Sequence, residues 1–98
     1  MNEEPNLIRL HTIIEGRVQG VGFRYFVQEK ALALDLNGWV RNRWEGSVEV
    51  MAEGNKQTLE QLLSFLHRGP RSANVTKVIP KWETANGEFS HFNIRLTA

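Results

Sequence analysis

Gly16, Gly20 and Gly22 separate a segment that alternates every second residue from one that repeats every three to four. Before the glycines, Ile8, Leu10, Thr12 and Ile14 share one side of an extended run while Arg9, His11 and Glu15 take the other, the pattern of a half-buried strand. After them, Phe23, Phe26, Val27, Ala31 and Leu34 fall at helical spacing and predict a helix of about a dozen residues. The rest of the sequence supplies the remainder of a sheet.

It does so in a readable order. Asn37-Gly38 is a turn signal, and Trp39-Val40-Arg41 reads as a second strand. A corner at Trp44-Glu45-Gly46 leads into Ser47–Glu53, a period-two strand with its valines inward, so the pair forms a hairpin. Asn55 is placed to cap a second helix, which carries Leu59, Leu62, Leu63 and Leu66 on one face and is stopped by Gly69-Pro70. Val75–Trp82 is a fourth strand, and Pro80 assigns it to a sheet edge. Asn86-Gly87 turns the chain before a last strand on which Phe92, Ile94 and Leu96 alternate. The predicted fold is α+β: a ferredoxin-like split βαβ sandwich, βαββαβ plus a short extra strand, with a mostly antiparallel sheet and two helices on one face. Residues 1–6 read as a polar tail and 7–98 as a single domain.

Composition narrows the function. Without cysteine there is no disulfide framework, thiol nucleophile or cysteine-held metal. Twelve basic against eleven acidic residues leave a net charge of +1, far from the excess of a sequence-independent nucleic-acid binder. No apolar run approaches the roughly 18 residues of a membrane span, and the acidic start Met1-Asn2-Glu3-Glu4 is unlike a secretory signal. A soluble, cytoplasmic, monomeric domain with no nucleic-acid or membrane partner is the expectation.

The chemistry concentrates at the glycine turn, Gly16-Arg17-Val18-Gln19-Gly20-Val21-Gly22-Phe23-Arg24. Successive N–H groups of such a turn converge into an anion nest, and the helix start beyond it adds donors and partial positive charge. Arg17 and Arg24 contribute guanidinium groups suited to phosphate. No Gly-Lys-Ser/Thr follows, so this is not a Walker loop, and there is no dinucleotide fingerprint. On local chemistry alone a flexible connection with solvated arginines accounts for the string equally well.

The whole string resembles the signature of the acylphosphatase family, and a second block resembles it too: Gly38-Trp39-Val40-Arg41-Asn42 followed by Gly46-Ser47-Val48-Glu49. Gly69-Pro70 and the closing Phe92-Asn93-Ile94-Arg95 keep the same order, so the resemblance spans nearly the whole chain. It implies hydrolysis of an acyl phosphate to a carboxylate and inorganic phosphate, the latter also an inhibitor, with no cofactor and no metal. By position it implies a backbone cradle at Val18, Gln19, Gly20, Val21, Gly22 and Phe23, a phosphate-binding Arg24, an Asn42 that holds the attacking water, and a supporting hydrogen bond from Ser47. The segment Arg43-Trp44-Glu45 departs from the small polar turn of the family and bears on substrate preference.

These residues suffice chemically. The leaving carboxylate has a low pKa and needs no general acid, and phosphoryl transfer is mostly positioning plus charge stabilisation. His11, His67 and His91 lie outside both motifs and read as surface residues. Trp39 and Trp82 read as packing residues, Glu49 and Glu53 as a solvated strand face rather than metal ligands, and Arg41 and Arg43 as exposed residues with a small steering effect. Two other readings are weighed. An RNA-binding module shares the element order, but the outward positions Ser47, Glu49, Met51 and Glu53 offer carboxylates and no stacking aromatic. An acylphosphatase-like domain of a hydrogenase-maturation carbamoyltransferase resembles this sequence only as an N-terminal segment of a larger chain.

Overall fold

The alternation read from Ile8 to Ile14 buries one side of β1 (Ile8–Arg17) in the computed structural model, which describes residues 7–98. Leu10, Thr12 and Ile14 have no exposed surface, and the Thr12 hydroxyl finds no hydrogen-bond partner among the described residues. The helix beyond the glycines is α1 (Phe23–Ala33), which buries Phe23, Val27 and Ala31. It ends at a turn through Asp35, whose φ of 61° is the only positive value at a non-glycine among the described residues.

Asn37 and Gly38, predicted as a turn, are instead the first two residues of β2 (Asn37–Asn42). The reason is close approach rather than turning: a Cβ on Gly38 would fall on the Met51 carbonyl oxygen of the neighbouring strand. That neighbour is β3 (Val48–Gly54), with Val48, Val50 and Ala52 fully buried. α2 (Lys56–Arg68) begins where Asn55 Oδ1 accepts the Thr58 N–H at 2.9 Å and ends at Gly69, φ 67°. It buries Leu59, Leu62 and Leu66, and each such side chain contributes roughly 1.5–3 kcal/mol through burial. β4 (Asn74–Thr84) runs longer than its apolar pattern suggested. β5 is only Phe92–Ile94, and Leu96, read as part of it, lies beyond its end and is exposed.

The sheet order is β4-β1-β3-β2-β5, with β4 at an edge as Pro80 indicated. β1 and β2 both run antiparallel to β3, and β5 adds parallel to β2. The C-terminal ends of β1 and β2 therefore lie at the same end of the sheet, with the start of β3 between them. α1 also starts there, which brings the glycine turn and Asn42 to one end of the molecule.

The face away from the helices is not the solvated surface that the charges of β3 suggested. Glu49 and Glu53 are each about 5% exposed. Arg9 donates to Glu53 Oε2 through Nε and Nη2, at 2.9 and 2.7 Å. Glu49 is covered by Arg41, whose Nε donates to Oε1 at 2.8 Å, by Arg43, and by His11 on β1 at 2.5 Å. Trp39 packs as expected, with the guanidinium carbons of Arg41 and Arg95 4.7 and 4.6 Å from its ring centre. Trp82 remains half open, with the Lys56 ammonium over its ring.

Candidate active site

Val18 and Phe23 enter the core at 1% and 2% exposure and pin both ends of the glycine turn. Between them Gly20 and Gly22 take φ of 73° and 79°. A Cβ at either would meet nothing within 4 Å, so it is the left-handed backbone and not lack of space that calls for glycine. The N–H groups from Gln19 to Tyr25 donate to no backbone carbonyl among the described residues. Gly22 caps α1 without a side-chain hydrogen bond, and the first turn holds no acidic residue. Free donors at a helix start with no acidic residue in its first turn suit an anion.

Arg24 is the second residue of α1, half-buried, and forms no ion pair among the described residues. Arg17 closes β1 and is exposed. Asn42 is the last residue of β2 and half-buried; its carbonyl accepts the Ala98 N–H at 3.1 Å, while the Trp44 N–H donates to the Ala98 carbonyl at 3.0 Å. The residues after Asn42 form a closed turn: the Arg43 N–H donates to Ser47 O at 2.9 Å and the Gly46 N–H to Arg43 O at 3.0 Å.

The cradle and this turn are tied by a side chain that sequence reasoning valued only for its backbone. Gln19 Nε2 donates to Arg43 O and to Ser47 O, each at 2.8 Å. Nothing in the local pattern marks so distant a bond. Ser47 is buried, but its hydroxyl donates to Glu45 Oε2 at 2.9 Å, so its contribution to the turn runs through its carbonyl rather than through a bond to the Asn42 side chain. Trp44 is 81% exposed on the same turn.

Arg41 and Arg43 are less free than their sequence context suggested, because both are held by Glu49. Burial opposes ionisation of Glu49, but hydrogen bonds from His11, Arg41 and Arg43 and the Arg41 charge outweigh it and hold its carboxyl below the usual glutamate range. The carboxylate neutralises guanidinium groups beside Asn42 and fixes the strand end that carries it.

A cavity of about 220 Å³ adjoins the turn, lined by Glu15, Gly16, Glu45, Gly46 and Ser47. It includes neither the cradle nor Arg24 nor Asn42, and its two carboxylates repel a phosphoryl group. The open turn beside it carries the free N–H donors. Among the described residues, no three His, Asp or Glu side chains cluster to hold a metal. No helix among them is long and apolar enough to cross a membrane.

The family model described as acylphosphatase matches residues 10–94. The chain belongs to the acylphosphatase family. An acylphosphatase of Moorella thermoacetica is 49% identical over 90 residues, covering 92% of this chain and 96% of that relative. The crystal structure of the acylphosphatase from Bacillus subtilis superposes with a TM-score of 0.87 at 38% identity, covering 90% of this chain and 98% of the other. Full-length HypF, in a phosphate- and nucleotide-bound form, contains a similar region: TM-score 0.88 at 25% identity, covering 99% of this chain but 13% of HypF. The activity is thus that of an acylphosphatase, a hydrolase acting on acyl phosphates, on an α+β ferredoxin-like fold.

Proposed function

We propose that hydrolysis proceeds by direct in-line attack of water on a phosphoryl group seated at the Gly16–Arg24 turn. The backbone N–H groups of Val18, Gln19, Gly20, Val21, Gly22 and Phe23 and the Arg24 guanidinium hold the phosphoryl oxygens. Asn42, neutral and unable to repel the anion, accepts from and donates to the water. The oxygen of that water forms a bond to phosphorus while the phosphorus–oxygen bond to the acyl group breaks. The carboxylate leaves with the bonding electron pair, and the water's proton passes to a phosphate oxygen. Catalysis here is positioning and charge stabilisation, which this arrangement supplies without a strong base or an acid. Ser47 supports the site by holding the turn after Asn42 through its carbonyl. The protein acts as a cytoplasmic monomer on a small anionic acyl phosphate, and Trp44 bears on which acyl group is preferred.

The observation that carries the reading is the run of unpaired N–H groups from Gln19 to Tyr25 at an uncapped helix start, beside an arginine in no ion pair among the described residues. The test is continuous turnover of benzoyl phosphate by purified protein, with and without EDTA, and with inorganic phosphate as competitor. Equal rates in both buffers and competitive inhibition are expected. Turnover abolished by EDTA would overturn the metal-free scheme, and non-competitive phosphate would move the anion site elsewhere.

A further inference from the structure

We infer that the Gln19 side chain is a positioning residue for the attacking water, setting where Asn42 stands relative to the phosphate cradle; this rests on the roles proposed above for Asn42 and the cradle. Gln19 belongs to the cradle through its backbone, yet its side chain leaves the cradle for another element. Its one NH2 group spends both hydrogens on the two carbonyls that close the Arg43–Ser47 turn, each at 2.8 Å and across 24 and 28 residues of sequence. Asn42 is covalently joined to the first of those carbonyl-bearing residues. The second, Ser47, is bonded from one side by the Arg43 N–H and from the other by Gln19. The contact is part-buried, where hydrogen bonds are less exchanged with water.

The two halves of the reaction therefore meet through this amide. The phosphorus is located by the cradle and the water by Asn42, while the side-chain bond between these elements comes from Gln19. In-line attack depends on that relative placement, and a misplacement of about 1 Å is worth about 10²-fold in rate. A side chain that served only to staple the fold would lower stability without separating turnover from phosphate binding.

The test is a double-mutant cycle with Gln19→Met, close in length but without donors, and Asn42→Ala. Variants are assayed with benzoyl phosphate below their melting temperatures, with the inhibition constant of inorganic phosphate measured alongside. Gln19→Met is expected to lower kcat by about 10- to 100-fold while the phosphate constant changes by less than about three-fold. In the Asn42→Ala background the same change is expected to lower kcat by less than about two-fold, because the water it positions is already lost. Gln19→Leu, also without donors and uncharged, should behave like Gln19→Met. An undiminished effect in the Asn42→Ala background, parallel loss of phosphate binding and turnover, or unchanged kcat overturns the inference. Failure of both Gln19 variants to fold would make the residue a staple and overturn it as well. If Asn42→Ala alone left kcat intact, the fault would lie with the proposed role of Asn42.

Discussion

Gly69, where α2 ends, lies against Phe23, where α1 begins: a Cβ at Gly69 would stand 2.6 Å from Phe23 Cε2. The stop signal of one helix thus sets the seat of the other, and Phe23 is the buried end of the proposed phosphate cradle. Gly69→Ala should destabilise the fold by about 1–3 kcal/mol, combining a left-handed φ of 67° with crowding against a ring that has little room to move. At roughly 4–8 °C per kcal/mol the melting temperature falls visibly in a thermal scan. An unchanged transition would mean that the ring yields freely and that the seat is loose.

Arg24→Ala should lower kcat/KM by about 10³–10⁵-fold, by analogy with other arginines that stabilise a transferring phosphoryl group. The variant should stay folded, because a half-buried arginine in no ion pair among the described residues contributes little to the core. A folded variant, by circular dichroism, that keeps more than a tenth of the activity would remove Arg24 from the site.

Asn42→Ala should lower kcat by about 10²–10³-fold with little change in the inhibition constant of phosphate, because its proposed partner is the water and not the anion. Asn42→Asp should be at least as damaging, since a carboxylate there repels the phosphoryl group. Steady-state kinetics with phosphate as competitor decides: parallel loss of binding and turnover would move Asn42 into the cradle.

Inorganic phosphate should stabilise the native state through the free N–H groups of the cradle. A ligand bound only by the folded chain adds about 2.7 kcal/mol at a hundred times its Kd, or 10 °C and more for a domain of this size. EDTA should not reduce the shift, and chloride at matched ionic strength should not reproduce it. Arg24→Ala should lose most of it and Asn42→Ala keep it. The same shift in wild type and in Arg24→Ala would show that phosphate acts elsewhere.

Acid should loosen the sheet face opposite the helices. The Glu49 carboxyl titrates below its ordinary value in the folded protein, so its charge contributes stability that is present above that ordinary value and lost as the pH falls through the lower, folded one. Glu49→Gln should therefore be less stable than wild type at neutral pH, and the difference should shrink as the pH drops below the usual glutamate range. Urea midpoints at a series of pH values measure this; a gap that widens in acid would contradict it.

The element order, the Asn55 cap, the Gly69 stop and the edge position marked by Pro80 were all legible, because each is written in local spacing or in one residue's backbone chemistry. What escaped was mostly long-range. Asn37-Gly38 reads as a turn by composition, but the glycine is there because β3 passes too close for a side chain. Glu49 looks solvated on its own strand and is buried only because His11 and Arg41 arrive from the strands on either side. The supporting hydrogen bond expected from Ser47 drew on likeness alone and named no partner; the hydroxyl reaches Glu45 two residues away. Gln19 carried no signal that its amide would cross to another loop. Arg24 and Asn42 were legible as candidates, and the topology brings their elements to the same end of the sheet.

Because the proposed cradle offers main-chain N–H groups from Gly20 to Gly22, its binding power is indifferent to most changes of side-chain identity there. Replacing Val21 by another residue leaves the donor in place; only proline deletes one outright, and Gly20 or Gly22 lose theirs by ceasing to hold their left-handed turn. Alanine scanning, the usual way to map a binding site, would pass over such a loop or misreport it as a folding defect. The informative edit is atomic: an ester in place of one peptide bond, which removes a single hydrogen from the cradle and leaves every side chain as it was.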